Sequence, residues 1–197
     1  MNNSYTKSMP WWQIRLLKNN PEKILWFYDS YINSSLDLIN TVIKSNDTSK
    51  KDSYGMPIFF LIQHSIELFC KYCILEINPN FTLKKLGHDL KGMWEQTKRE
   101  SIEFFNNENK ENKENNLNME EWSHDEYLDS FLKKYEEYMI YQNSRYPLNT
   151  QNEETVFMLN PPEFDWMELK NEVENIRKQF MCLSTAIDVL LRPDEYI

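Results

Sequence analysis

Residues 57–95 read PIFFLIQHSIELFCKYCILEINPNFTLKKLGHDLKGMWE, and the reading of this stretch decides the fold. Its first half is apolar around most of a helical circumference, broken by Gln63, His64, Glu67 and Lys71. A helix of that kind has little face to give to water and belongs at the centre of a bundle. It is predicted to start near Pro57 and to stop at Asn78-Pro79-Asn80, where Pro cannot extend the hydrogen-bond ladder and Asn tolerates a left-handed cap. A further helix is predicted to start at Gly87-His88-Asp89-Leu90. Asp89, or His88 before it, would lie at the positive helix end, and Leu86, Leu90, Met93, Trp94 and Phe104 form the apolar stripe.

Toward the N-terminus, Asn20-Pro21-Glu22 combines a capping Asn, a Pro whose missing N–H costs nothing at the first helical position, and an acid near the positive dipole end. Leu25, Tyr28, Ile32, Leu36, Ile39 and Ile43 then recur at spacings of three and four, a stripe that predicts a helix to about residue 45. Residues 45–55, rich in Ser, Asp and Lys, read as a solvated loop. Trp11 and Trp12, beside Ile14, Leu16 and Leu17, read as a cap on one end of the core.

Toward the C-terminus, residues 106–118 read NNENKENKENNLN, a polar run with nothing to bury that is expected to be a mobile excursion. A helix is predicted over 119–141, with Leu128, Leu132, Tyr135 and Met139 on one face, ending before Ser144-Arg145-Tyr146-Pro147. Residues 154–159 suit a short extended piece. In the last helix Asp165 is the cap, and Leu169, Val173, Ile176, Phe180, Leu183, Ile187 and Leu190 alternate spacings of four and three before Arg192-Pro193. That heptad-like seam must pack on another helix, within the bundle or across a dimer. The prediction is one all-α domain over residues 1–197, an antiparallel up-and-down bundle of about five helices.

Composition agrees. The 197 residues are 41% hydrophobic, enough for one core, and hold only 3 Gly and 8 Pro, too few turn formers for a sheet protein of this length. Net charge is −9, which argues against binding nucleic acid by phosphate neutralisation alone. The cysteine count of 3 is odd, as expected of reduced thiols in a cytoplasmic protein. No membrane span or signal peptide is expected, since no stretch reaches about 18 uncharged apolar residues.

Chemistry-bearing motifs are sparse. Cys70-x-x-Cys73 lies within the most apolar helix without a second Cys pair, which favours a core role over metal or redox chemistry. His64 and Glu67, three apart, read as a hydrogen-bonded polar pair at the core edge. Glu120, Glu121, Asp125 and Glu126 read as a solvated face. Three scattered glycines cannot build a phosphate loop, and neither a His-Glu-x-x-His zinc pattern nor a Gly-x-Ser-x-Gly elbow occurs. No cofactor and no metal are expected. The 6 Trp and 11 Tyr suit base stacking and a protein interface equally.

One order of fragments carries more. The central helix with His64-Ser-Ile-Glu67-Leu-x-x-Lys71, then Gly87-His88-Asp89-Leu90, then Arg145-Tyr146-Pro147, resembles the HEPN superfamily over roughly residues 20–190. The resemblance implies a small helical bundle, a homodimer, and a role in bacterial defence, toxin–antitoxin or RNA-processing systems, with RNA, a nucleotide or a cognate protein as partner. Ribonuclease members pair an Arg with a His a few residues on: the His accepts the 2′-hydroxyl proton and the Arg holds the phosphate. Here Thr150, Gln151 and Asn152 stand where that His would follow Arg145, and Arg15, Arg99, Arg177 and Arg192 have none either. The expected function is therefore a HEPN-like module that binds without the standard nuclease pair, through Arg145, Tyr146 and Asp89. The alternative is a divergent metal-independent ribonuclease in which His88 or His64 acts with Arg145.

Overall fold

The computed structural model describes residues 21–45, 47–111, 127–139 and 165–195. Five α-helices run through them: α1 (Pro21–Lys44), α2 (Thr48–Ile77), α3 (Leu90–Glu111), α4 (Tyr127–Lys134) and α5 (Trp166–Leu191). Short 3-10 turns at Leu83–Lys85 and Pro193–Glu195 lie between α2 and α3 and after α5. No strand occurs among the described residues, so the all-helical expectation holds there.

α2 is the centre, packed against α1, α3 and α5, while α5 also packs on α1 and α4. It starts nine residues earlier than Pro57. Asp47 takes an extended conformation and its carboxylate accepts the Ser49 N–H at 2.9 Å, so the polar stretch expected to be a loop forms the opening turns of the helix. Pro57 sits inside the helix, its predicted boundary role overruled by Ile58, Phe59 and Ile62, all fully buried. By length and composition alone α2 could cross a membrane; 67% of its most apolar window is buried inside the bundle.

Four helices each send an aromatic side chain into one knot. Phe69 of α2 and Phe180 of α5 stack with ring centroids 3.8 Å apart, and Tyr28 of α1 lies 5.2 Å from the first and 5.8 Å from the second. Trp94 of α3 closes it at 6.0 Å from Phe180. Fully burying each such ring contributes about 1.5–3 kcal/mol, which makes this one of the main fastenings of the bundle. A second aromatic set docks α4, with Phe59 5.2 Å from Tyr135 and Phe131 4.8 Å from the same ring.

The seam of α5 is filled from within. Leu169, Val173, Ile176, Phe180, Leu183 and Ile187 are all buried by the chain's own helices, with Leu190 partly covered, so the seam packs within the bundle. α3 begins at Leu90 as expected but continues to Glu111, taking up the first residues of the Asn/Glu/Lys run, and buries Phe105 with Phe104 only partly covered. α4 is described from Tyr127 and ends at Lys134, its expected face of Leu128, Leu132, Tyr135 and Met139 continuing through a turn. The predicted features at 1–20, 112–118 and 154–159 lie outside the described residues, as do Glu120, Glu121, Asp125 and Glu126.

Candidate functional site: the joint between the central helix and the Gly-His-Asp-Leu turn

Glu67 lies on the middle of α2 with its side chain only 3% exposed, in a helix whose buried residues are mostly apolar. A carboxylate there must be answered by donors, because an unpaired buried charge costs far more than the helix can supply. Two answer it. Lys71, one turn on, places its Nζ 2.5 Å from Glu67 Oε1. His88 arrives from 21 residues away, its Nδ1 at 3.2 Å and 3.3 Å from the two carboxylate oxygens.

The approach of His88 depends on its neighbours. The 3-10 turn at Leu83–Lys85 closes with the Leu86 N–H donating to the Leu83 carbonyl at 3.0 Å. Gly87 then adopts φ +59°, a left-handed conformation that needs no Cβ. Asp89 follows, its carbonyl accepting the first α3 bond from the Met93 N–H at 2.8 Å. Its carboxylate folds over Gly92, with an oxygen 2.5 Å from where a Cβ at that position would stand. Asp89 is thus engaged with the start of its own helix.

An ionised carboxylate only accepts, so the Nδ1–H of His88 is the donor to Glu67. In the neutral ring this places the basic lone pair on Nε2, and the imidazole, with its side chain 52% exposed, is oriented as an acid–base group held by a buried carboxylate would be. His64 has a different setting. Its ring meets Tyr31 edge-on at 4.6 Å and stacks on Phe60 at 5.8 Å. The pair expected between His64 and Glu67 does not form, because Glu67 faces Lys71 and His88. Arg145 and Tyr146 lie outside the described residues.

The cysteines of α2 belong to the core. Cys70 and Cys73 are fully buried, and burial pushes the Cys70 thiol up to about 12 and raises Cys73 as well, which keeps both protonated and unreactive near neutral pH. No group of three or more His, Cys, Asp or Glu side chains suited to a metal occurs among the described residues.

Three further ionic links fasten helix to helix. Lys98 of α3 binds Asp129 of α4 at 3.1 Å; Lys134 of α4 binds Glu168 at 2.8 Å and Glu172 at 2.9 Å on α5. The Tyr135 hydroxyl also donates to Glu172 at 2.8 Å, and burial followed by that bond raises the phenol's pKa. Arg192, just past α5, reaches both oxygens of Glu76 near the end of α2 at 3.3 Å and also pairs with Asp188. Sequence reading assigned Arg192 only to the end of its helix; the signal for its second role was Glu76, a carboxylate in the apolar run of α2 that needed a cation.

Compared with family models, curated proteins and solved structures, the chain matches none.

Proposed function

We propose that the chain is a HEPN-like module of a bacterial defence or stress system: an antiparallel bundle that acts in the cytoplasm as a homodimer and engages RNA, a nucleotide or a partner protein without cleaving RNA by the standard Arg and His pair. The observation that supports this reading is the meeting of Glu67, Lys71 and His88. These are residues of the two fragments on which the resemblance rests, and their union ties the centre of α2 to the start of α3. Of the three classes of ligand, the net charge of −9 favours a protein or a small nucleotide over a long phosphate backbone. The dimer would use a surface other than the α5 seam, which the core occupies.

The oriented, half-exposed imidazole of His88 favours a second reading, a metal-independent ribonuclease in which His88 takes the 2′-hydroxyl proton and Arg145 holds the phosphate. His64, set against Tyr31 and Phe60, fits the core better than this chemistry. Incubation of the full chain with tRNA and mixed RNA in a chelator separates the readings. Intact RNA is the expected result. Cleavage that is lost in Arg145→Ala and in His88→Ala, both folded by circular dichroism, would replace the binding module with the enzyme.

A further inference from the structure

On another part of the bundle, the first turns of α1, the last turns of α2 and the link that follows enclose a cavity of about 710 Å³. Its wall is apolar: Ile24 and Phe27 of α1, Leu68 and Leu75 of α2, and Phe81 and Leu83 of the link. Phe27 remains 38% exposed at the lip, so apolar surface is left facing the cavity and solvent together. A volume of this size, with apolar walls and few polar groups, is that of a small-molecule pocket.

The charged lining selects the ligand. Among the described residues, three charged side chains line the cavity: Lys23, Glu76 and Arg192. Glu76, its side chain 7% exposed, is matched by Arg192 at 3.3 Å, and Arg192 is further held by Asp188. A cationic ligand would have to displace this guanidinium from Glu76. Lys23 takes part in no ion pair with any described residue, so among the described residues the lining carries one positive charge without a carboxylate partner. Lys23 and Phe27 stand one helical turn apart on α1, which puts a cation and an exposed aromatic ring side by side at the lip. We propose that this cavity binds an amphipathic monoanion, with an apolar body among Ile24, Phe27, Leu68 and Leu75 and an acidic head at Lys23. Glu67, Lys71 and His88 do not line this cavity, and its occupancy does not depend on any role in RNA metabolism.

The test is calorimetric titration of the full chain with decanoate, decanol and decylammonium, all below their aggregation concentrations. Decanoate is expected to bind about ten-fold more tightly than either other head group, as a charge-assisted contact requires. Lys23→Glu is expected to remove that preference, Lys44→Glu at the far end of α1 to leave it intact, and Leu75→Trp to block binding by filling the cavity. Equal binding of all three compounds, no binding, or a decanoate preference that survives Lys23→Glu would overturn the proposal. So would binding seen only when Trp11 and Trp12 are replaced by Ala, which would make the chain's own leading segment the occupant. Lys23 is only half-buried, so Lys23→Glu keeps the test open if Leu75→Trp fails to fold.

Discussion

Two regions within a few residues of each other on α2 are built on opposite principles. The aromatic knot of Tyr28, Phe69, Trp94 and Phe180 joins four helices through ring contacts that have no need of charge. The joint of Glu67, Lys71 and His88 joins two elements through a carboxylate that has almost no access to water and two donors that retain some. The knot can supply stability in proportion to area removed from water, whereas the joint recovers little more than the desolvation of its own carboxylate. What the joint adds is position: it holds one imidazole in one orientation at the start of α3. The difference teaches that the buried charge on α2 serves placement more than stability.

The largest expected effect lies in the knot. Phe180→Ala removes a ring that touches three other aromatics and is expected to destabilise by about 3–5 kcal/mol in urea unfolding. A loss under about 1 kcal/mol would mean that the knot is not among the main fastenings. Glu67→Gln is expected to lose about 1–2 kcal/mol, since it weakens two polar contacts while Lys71 and His88 can both turn to solvent. A loss as large as that of Phe180→Ala would erase the contrast between the two regions.

Alkali should act through the apolar side. The Cys70 thiol ionises near 9.0 when exposed but is pushed up to about 12 in the fold, where burial penalises the thiolate. Below pH 9 both states keep the proton and this group adds no pH dependence. Above that, the unfolded chain has lost a proton that the native chain retains, so stability falls as pH rises, by up to about 1.4 kcal/mol per pH unit. Cys73 and Tyr28 are raised for the same first cause and act in the same direction. Urea midpoints that decline from pH 8 to pH 10, with a shallower slope in Cys70→Ala, are the expected outcome; a flat profile would contradict it. The smallest effect is expected at Gly87, where Ala must adopt φ +59° and should cost about 1 kcal/mol. That substitution sharpens the comparison if it also weakens the link between Glu67 and His88 while leaving the knot intact.

Much of the fold was legible because periodicity survives in sequence. The stripe of α1 and the seam of α5 name residues that are buried in the structure, Tyr28, Ile32, Val173 and Phe180 among them. The start of α2 was not legible, since Thr48–Tyr54 is polar and Pro57 resembles a boundary; only the Asp47 cap distinguishes those turns from a loop. The dimer reading of the α5 seam rested on the same periodicity, which cannot say whether the partner helix belongs to the same chain. The candidate site was half legible. Glu67, Lys71 and His88 could each be singled out, but the pairing of Glu67 with His88 rather than His64 depends on a left-handed Gly87 and a short 3-10 turn. Contacts across 116 residues, as between Glu76 and Arg192, leave no local pattern at all.

The pairing of Glu67 with His88 is tested most directly by the tautomer of the His88 ring, read from long-range proton–nitrogen NMR spectra of the full chain at a pH where the ring is neutral. With the Nδ1–H held by the Glu67 carboxylate, the ring is expected to carry its proton on Nδ1 and to lose that preference in Glu67→Gln. A ring protonated on Nε2 in the unmodified protein, or a spectrum unchanged by Glu67→Gln, would show that the carboxylate does not hold His88.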